Sequence, residues 1–215
     1  MKYYPVFLDL RERSCAVVGG GRVAERKALS LLEAGANVTV VSPSLTHKLQ
    51  ELSFSGKITH LAKTFEEEDI AGAFIVIAAT GLPEVNAEIG RLCRKKQVLV
   101  NVVAPPGESS FIVPSLVDRG ALLIAISTSG ESPALSKRIR KELEKTFGPE
   151  YDLFLQRMSL LRSRLMGQIG DEAERGRVFQ AIANSDVLDL LRQGKLHEAD
   201  HRIVELSGLK MKQGK

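Results

Sequence analysis

Tryptophan, cysteine and long apolar runs are the scarce features of this 215-residue sequence. Tryptophan is absent, aromatic residues make up 5%, and the two cysteines, Cys15 and Cys93, form neither a Cys-x-x-Cys pair nor a zinc-ligand spacing. We therefore expect two buried free thiols in a reducing compartment. No apolar run reaches the roughly 18 residues of a membrane span, and the N-terminus lacks the apolar core of a signal peptide. These absences favour a cytoplasmic protein without a membrane partner.

Neither positively nor negatively charged residues are in large excess. Lysine and arginine total 30 against 26 aspartate and glutamate residues, which gives a formal net charge of +4. The positive charges form no polybasic tail, so nucleic acid is not predicted as a partner, although an anionic small molecule would suit the excess. Hydrophobic residues at 44% are typical of a globular chain, and the length allows one good-sized domain plus a smaller one.

Strand and helix patterns alternate through the first half of the chain. The predicted strands are apolar on both faces, which is typical of a parallel sheet covered by helices on both sides. Right-handed crossovers then predict an α/β fold with a doubly wound, Rossmann-like sheet. The predicted strands are 14–19, 37–41, 57–61, 73–79 and 98–102, and the predicted helices are 23–34, 44–53 and 83–96.

A glycine-rich turn follows the first predicted strand and opens the first predicted helix. Gly19-x-Gly21-x-x-Ala24 fits the G-x-G-x-x-G/A pattern of dinucleotide sites in its proper strand–turn–helix context. Gly19 would make the tight turn, Gly21 would let the backbone approach the pyrophosphate, and Ala24 would allow close packing of helix on strand. The N–H groups at the start of the helix would bind phosphate. The turn therefore predicts a dinucleotide cofactor.

The residues after the second and later strands define the rest of the predicted crevice. Many NAD sites carry a carboxylate after the second strand, whereas this chain has Ser42-Pro43-Ser44 and no arginine for a 2′-phosphate. Ser42 or Ser44 could bind the ribose, and the lack of a cation there favours NAD over NADP. Thr80 follows the fourth predicted strand and Asn101 lies near the end of the fifth, with Asn101 expected near the nicotinamide or, alternatively, acting only as a turn residue.

The second half of the chain is mostly helical. Further strands are predicted at 111–113 and 121–127, and Ser132 is expected to cap a helix whose first residue is Pro133. We expect an NAD-binding domain over 1–113, a dimerisation region over 114–148 and a helical domain over 149–215. The elements of 114–147 cannot easily bury both of their faces alone, which favours a homodimer.

Several segments occur in an order that resembles a known family. The combination of GGGRVAERK, SFIVPS and GESPAL is far more specific than the glycine turn alone. Over residues 1 to about 165 the sequence is similar to the siroheme synthase N-terminal family, the precorrin-2 dehydrogenases and sirohydrochlorin ferrochelatases. The matching segments are Pro5–Leu10, Val17–Lys27, Leu31–Pro43, Ile77–Thr80, Asn101–Val103, Ser110–Ser115 and Ile126–Leu135.

The resemblance implies a reaction and a set of contacts. In the family, NAD⁺ takes a hydride from precorrin-2 to give sirohydrochlorin, many members also insert Fe²⁺, and the region after the nucleotide domain forms dimers. Carried over by position, Arg22, Val23, Pro43 and Ser44 would contact NAD. A methyltransferase domain follows in the larger fused enzymes, and we expect this chain to lack it.

One departure from the family pattern affects the implied chemistry. Related enzymes often carry an aspartate just after the Asn-Val-Val strand, proposed to act in dehydrogenation and chelation, and Ala104 stands at that place. An alanine can neither accept a proton nor bind iron, so dehydrogenation is better supported than metal insertion. Asn101 and Glu108 are the remaining catalytic candidates. Glu108 is the nearest replacement carboxylate and, alternatively, a solvated loop residue.

The tetrapyrrole implied by the resemblance carries many carboxylates and requires cationic partners. Lys137 and Lys141 are four residues apart and share a helix face. A solvated helix face is the alternative interpretation for each cation. The turn before this helix offers hydroxyl and N–H groups for a carboxylate, and Thr128 in it occupies the place of a regulatory serine in some relatives. The substrate-binding candidates are Lys137, Arg138, Arg140, Lys141, Thr128 and Ser132.

The segment His197-Glu198-Ala199-Asp200-His201 matches the H-E-x-x-H signature of zinc proteases. A third protein ligand would have to follow it, and Glu205, one turn further along the same helix, is the single carboxylate after His201. We therefore predict no metal site and interpret the segment as an exposed polar helix.

Two functions other than precorrin-2 oxidation stay open. One is a non-catalytic, NAD-sensing regulatory protein, since doubly wound domains also serve as sensors, although no helix-turn-helix is evident. The other is a dehydrogenase for a different small substrate, which would be expected to carry a histidine or lysine acid/base near the crevice. The resemblance favours an NAD-dependent oxidoreductase acting on precorrin-2 in siroheme, and hence porphyrin-type, biosynthesis.

Overall fold

The computed structural model describes residues 2–209, which form two compact units, one ending at Val113 and the other beginning at Pro114. In the first unit, strands and helices alternate. The elements are β1 (Ser14–Val18), α1 (Arg22–Glu33), β2 (Asn37–Val41), α2 (His47–Phe54), β3 (Ile58–Leu61), β4 (Ile75–Ala78), α3 (Pro83–Lys95) and β5 (Leu99–Val102). Short 3₁₀ turns lie at Glu67–Ile70 and Pro106–Glu108.

The strands of the first unit form one parallel sheet in the order β3-β2-β1-β4-β5. Val17 of β1 is aligned with Val40 of β2 on one side and with Ile77 of β4 on the other. Because the strand order reverses between β1 and β4, a crevice is expected at the carboxyl ends of these two strands. This sheet confirms the predicted doubly wound, Rossmann-like fold class.

Helices bury both faces of the sheet, which explains the continuous apolar runs of its strands. On one face Val17 packs in a core with Ala28 of α1 and Leu49 of α2, and on the other Val76 packs with Ile89 of α3. The two free cysteines lie in these two layers. Burial raises the pKa of the Cys93 thiol to about 11, so this thiol stays protonated and unreactive.

Local signals fix most helix ends. Pro83 is the first residue of α3, and Gly35, with a φ of 80°, follows the end of α1. The predicted start of the second helix at Ser44 is wrong, because Thr46 is the cap of α2. The Thr46 hydroxyl accepts a hydrogen bond from the Leu49 N–H at 3.3 Å.

The strand predicted at 111–113 is also wrong, and the preceding serines show why. The hydroxyls of Ser109 and Ser110 accept hydrogen bonds from the N–H groups of Val102 and Val100, each at 2.8 Å. These side chains therefore satisfy donors on the edge of β5 that a further strand would otherwise have to pair. The chain runs beside β5 without extending the sheet.

The second unit begins with an antiparallel hairpin, in which Val117 is aligned with Ile124, and continues as helices. The predicted strand at 121–127 is present as β7, while its partner β6 was missed. The elements are β6 (Ser115–Arg119), β7 (Leu122–Ile126), α4 (Pro133–Thr146), α5 (Glu150–Met166), α6 (Glu172–Ala183), α7 (Val187–Arg192) and α8 (Leu196–Ser207). The further division of this unit at residue 148 stays a prediction.

The helices from α5 to α8 share an apolar core that includes Phe154, Leu165, Ile182 and Ile203. By contrast, Ser136 is the one buried residue among those that form α4. Over residues 2–209, no helix combines the length and apolar character that crossing a membrane requires.

Candidate functional site

A crevice of about 700 Å³ opens at the carboxyl ends of the strands in the first unit. This is the place that the strand order predicts for a ligand. Its lining comes from the turn Gly19–Gly21 after β1, from 42–46 after β2, from 63–67 after β3, from 79–82 after β4, and from Val85, Glu88 and Leu92 of α3.

The glycine turn after β1 lies against two neighbouring loops. Gly19 has a φ of 122°, a conformation that favours glycine, and a Cβ there would collide with the carbonyl oxygen of Ala79. A Cβ on Gly20 would collide with the carbonyl oxygen of Ser44. Both positions therefore require glycine for the turn to approach the loops after β4 and β2.

Gly21 differs from the two glycines before it, because no atom beyond its own and those of its chain neighbours lies within 4 Å of the place where its Cβ would stand. It is also the N-cap of α1 and offers no side-chain hydrogen bond to the first turn. The N–H groups at the start of α1 and the positive end of its dipole therefore remain available to an anion. Open space beside a bare helix N-terminus fits a pyrophosphate group.

The other predicted residues of this turn also have clear positions. Arg22 and Val23 are the first two residues of α1 and are exposed, and Ala24 is fully buried in the core between α1 and the sheet. The small side chain of Ala24 is what allows the start of α1 to lie close to the sheet. This part of the predicted cofactor site has the geometry that its sequence pattern requires.

The serines after β2 have different surroundings. Ser42 is buried, and its hydroxyl donates to the Ser44 carbonyl oxygen at 2.8 Å. Pro43 and Ser44 are exposed and line the crevice. The Ser42 hydroxyl thus shapes the loop, while Ser44 is the better placed of the two to bind a ribose.

The loop after β3 is part of the site but was not predicted from the sequence. Lys63 and Glu66 line the same crevice as the residues after β2. The two loops lie together because β2 and β3 are paired in parallel, and neighbouring parallel strands end at the same edge of the sheet. The position of Lys63 and Glu66 soon after the third predicted strand, 57–61, is the signal that could have indicated this loop.

Asn86 of α3 was also missed, and it fixes the loop after β4. The side chain is 1% exposed, and its oxygen accepts from the Thr80 N–H at 3.0 Å and from the Thr80 hydroxyl at 2.7 Å. Its amide nitrogen donates to the carbonyl oxygens of Thr80 (3.2 Å) and Ala104 (3.1 Å). One buried amide therefore joins the crevice residue Thr80 to the loop after β5.

The two predicted catalytic residues are engaged elsewhere in the protein. The Asn101 side chain donates to the Phe111 carbonyl oxygen at 3.1 Å, and Glu108 forms an ion pair with Arg94 of α3. Neither residue is among those that line the crevice in the part of the chain that the structure describes. Their catalytic assignment therefore stays a prediction that this geometry does not support, and Ala104 adds no functional group.

In the second unit, the predicted substrate-binding cations lie on α4 beside a shallow groove of about 410 Å³. Lys137 and Lys141 are exposed, while Arg138 is paired with Glu142 at 2.9 Å and Arg140 with Glu144 at 2.6 Å. The groove is lined by Ala134, Lys137, Arg138, Lys141, Glu142 and Lys145.

The hydroxyls before α4 shape the turn in which they lie. The Thr128 hydroxyl donates to the Ser132 carbonyl oxygen at 3.0 Å and accepts from the Ser132 N–H at 3.2 Å. The Ser132 hydroxyl accepts from the Leu135 N–H at 3.3 Å, as its predicted capping role requires. Both hydroxyls are therefore already used within the turn.

The H-E-x-x-H segment lies on α8 with His197, Glu198 and His201 exposed. Among residues 2–209, no three or more histidine, cysteine, aspartate or glutamate side chains are grouped so that they could hold a metal ion. The segment is therefore described as part of the polar surface of α8.

The parallel sheet, the glycine turn and the bare helix N-terminus define an NAD(P)-binding protein of the Rossmann-like class. A family model described as NAD(P)-binding matches residues 6–115, and a second one, described as Sirohaem biosynthesis protein central, matches residues 119–146. The chain belongs to the NAD(P)-binding family of the first model, which covers half of its length. The predicted family and the predicted nicotinamide dinucleotide cofactor are confirmed.

Known proteins resemble the chain over most of its length. Siroheme synthases of Nitrosospira multiformis and Photobacterium profundum are 38% and 37% identical to it, over 91% and 100% of this chain. These matches cover 42% and 46% of the relatives, so the chain spans less than half of their length. A solved structure, "SirC, precorrin-2 dehydrogenase", is 29% identical with a TM-score of 0.79 and covers 94% of this chain and 100% of that one.

Substitution of Gly21 should separate cofactor binding from folding. In Gly21→Asp the carboxylate enters the open space and can cap α1, so the free energy of unfolding should stay the same or rise by up to about 1 kcal/mol. NAD⁺ affinity should fall by at least roughly 100-fold, because a carboxylate beside a pyrophosphate costs several kcal/mol. Urea unfolding and calorimetric titration measure the two effects.

The neighbouring glycine provides the control for this experiment. Gly20→Ala should lower the free energy of unfolding, because its Cβ meets the Ser44 carbonyl oxygen. An NAD⁺ affinity of Gly21→Asp equal to that of the wild type would show that the pyrophosphate does not bind at this turn.

Removal of the Asn86 amide should destabilise the loops after β4 and β5 that it joins. Asn86→Leu leaves the buried polar groups of Thr80 without their partner, so we expect a loss of roughly 2–4 kcal/mol in the free energy of unfolding and weaker NAD⁺ binding. Asn37 is the matched control, since its exposed amide donates to the Glu12 carbonyl oxygen at 3.1 Å. Asn37→Leu should cost less than about 1 kcal/mol and leave NAD⁺ affinity unchanged. Equal effects of the two variants in both assays would contradict this role of Asn86.

Proposed function

We propose that the chain catalyses the NAD-dependent oxidation of precorrin-2 to sirohydrochlorin in siroheme biosynthesis. The observation that carries the proposal is the similarity to the whole length of a precorrin-2 dehydrogenase, in a chain whose own crevice fits a dinucleotide. The similarity to siroheme synthases supports the same pathway. The cytoplasmic location expected from the sequence is part of this proposal.

The reaction requires the protein mainly to bind and orient two molecules. Bound NAD⁺ would supply the hydride acceptor, so that precorrin-2 and NAD⁺ are converted on the enzyme to sirohydrochlorin, NADH and a proton. The turn Gly19–Gly21 and the start of α1 hold the pyrophosphate, and Ser44 binds the ribose. Asn86 holds Thr80 and its loop against the crevice. Release of the proton to water requires no dedicated base.

The carboxylates of the tetrapyrrole are assigned to exposed cations of α4. Lys137 and Lys141 are one helical turn apart and line one groove, so two carboxylates of one ligand can meet them together. Each exposed ion pair is weak by itself, and several are needed for useful affinity. Arg138, Thr128 and Ser132 are weaker candidates because each already has a partner within the protein.

The proposal includes a homodimer formed through the second unit. Leu116 of β6, Leu123 of β7 and Leu135 of α4 are 44%, 42% and 46% exposed. A two-stranded sheet is marginal alone, and large apolar side chains on it and on its helix favour a covering surface. The same region of a second copy would provide that cover with two-fold symmetry.

The proposal does not extend to insertion of Fe²⁺ as a second substrate. Ala104 offers no metal ligand, and the Glu108 carboxylate is paired with Arg94. Metal insertion therefore stays a prediction from the family resemblance, and neither residue supports it.

Anaerobic mixing of the protein with precorrin-2 and NAD⁺ tests the proposal. One NADH should form for each sirohydrochlorin, as followed by absorbance, and the Gly21→Asp variant should give no turnover above the reaction without enzyme. Lys137→Gln combined with Lys141→Gln should raise KM by roughly tenfold with little change in kcat, because both lysines bind carboxylates of the substrate. Lys57→Gln, exposed in the first unit, is the control and should leave KM unchanged.

Two outcomes would contradict parts of this account. A wild-type protein that binds NAD⁺ but leaves precorrin-2 unchanged would refute the enzyme and favour an NAD-sensing protein. Acceleration of Fe²⁺ insertion into sirohydrochlorin would refute the restriction to dehydrogenation.

A further inference from the structure

The loop after β3 brings a cation to the crevice beside the residues expected to hold the adenosine ribose. The Leu61 carbonyl oxygen accepts from the Ser42 N–H at 3.1 Å and from the Lys63 N–H at 2.9 Å. The loops after β2 and β3 therefore leave the sheet side by side, and Ser44 and Lys63 both line the crevice. A lysine at this place is what an NADP site would use to bind a 2′-phosphate.

This lysine is, however, held by two carboxylates of its own loop. The Lys63 Nζ atom lies 2.5 Å from Oε2 of Glu66 and 3.0 Å from Oδ1 of Asp69. The Asp69 side chain is 5% exposed, and its other oxygen accepts from the Glu66 N–H at 2.8 Å. These contacts raise the pKa of Lys63, so the amine is charged but its charge is compensated.

The balance of charge in the crevice is acidic. Among the described residues that line it, Lys63 is the one cation, whereas Glu66, Glu67 and Glu88 are carboxylates. Glu67 is paired with Lys96 at 2.8 Å, so Glu66 and Glu88 carry the excess negative charge. A 2′-phosphate brings about two further negative charges near neutral pH. It would have to displace Glu66 from Lys63 and leave that carboxylate unpaired beside the phosphate. A ribose with a free 2′-hydroxyl is neutral and avoids this repulsion.

We infer that the pairing of Lys63 with Glu66 and Asp69 makes the crevice prefer NAD over NADP. The inference rests on the proposed NAD-dependent function and names the residues that select this cofactor. A carboxylate after β2 usually has this role, and here that position is occupied by serine and proline. In this chain Glu66, in the loop after β3, would disfavour the 2′-phosphate in place of that carboxylate.

The role concerns selectivity rather than stability. Lys63 and Glu66 have side chains that are 38% and 62% exposed, and exposed ion pairs contribute little to folding. The same pair can nevertheless discriminate between two cofactors, because the 2′-phosphate is the one group in which they differ. Glu66 can therefore be substituted without loss of the fold.

Binding of NAD⁺ and NADP⁺ to the purified wild-type protein and three variants tests the inference. Glu66→Gln keeps the side-chain oxygen that accepts from the Asp69 N–H and removes the charge. NADP⁺ affinity should rise by roughly tenfold, the effect of one unit charge at close range, while NAD⁺ affinity changes by less than about threefold. Glu68→Gln is the matched control, an exposed carboxylate of the same turn outside the crevice lining, and should change neither affinity.

The combined variant Glu66→Gln with Lys63→Ala identifies the group that would bind the phosphate. It should lose the gain in NADP⁺ affinity, because the released cation is gone. Calorimetric titration gives the dissociation constants, and circular dichroism verifies the fold of each variant. An unchanged ratio of NAD⁺ to NADP⁺ affinity in Glu66→Gln, an equal effect of Glu68→Gln, or a gain that survives removal of Lys63 would each overturn the inference.

These binding measurements need no precorrin-2, so each of the two proposals can be refuted without the other. Selective NAD⁺ binding without oxidation of precorrin-2 would refute the proposed function alone. Oxidation of precorrin-2 together with an unchanged cofactor ratio in Glu66→Gln would refute this inference alone.

Discussion

The close approach of the turn after β1 to its neighbouring loops is the constraint on which the site depends. Gly19 lies against the Ala79 carbonyl oxygen and Gly20 against that of Ser44, so a side chain fits at neither position. These contacts fix the place where α1 begins, and with it the positive end of the helix dipole. Gly21 then provides open space at that end. Two glycines are thus required by the protein itself, and in the proposed function the third is required by the pyrophosphate.

Polar side chains hold the remaining loops around this turn. Asn86 joins the loop after β4 to the loop after β5, and Lys63 is held by Glu66 and Asp69 in the loop after β3. Because these groups make their hydrogen bonds and ion pairs within the protein, the crevice has its shape and its charge before a cofactor binds. Such preorganisation lowers the entropic cost of binding and allows discrimination by charge.

The fold and the glycine turn could be predicted because they follow from patterns that are local in the chain. Apolar runs with helices between them specify a covered parallel sheet, and the spacing of Gly19, Gly21 and Ala24 specifies the turn. Lys63 and Asn86 could not be found in this way, because they join the site only through the order of the strands and the position of α3. Asn101 is the opposite case, a residue that was predicted to line the crevice and does not. Its position near a strand end suggested the crevice, but its amide donates a hydrogen bond to the Phe111 carbonyl oxygen in the segment after β5.

We propose that the start of α1 binds the pyrophosphate of NAD, and the chemical shifts of its amide groups report on this contact. In ¹⁵N-labelled protein titrated with NAD⁺, we expect the largest shifts for the N–H groups of Gly21, Arg22 and Val23, with smaller shifts at Ser44 and Thr80. Saturable binding that leaves the signals of Gly21 to Val23 unmoved, with the largest shifts elsewhere in the chain, would show that the pyrophosphate binds at another place.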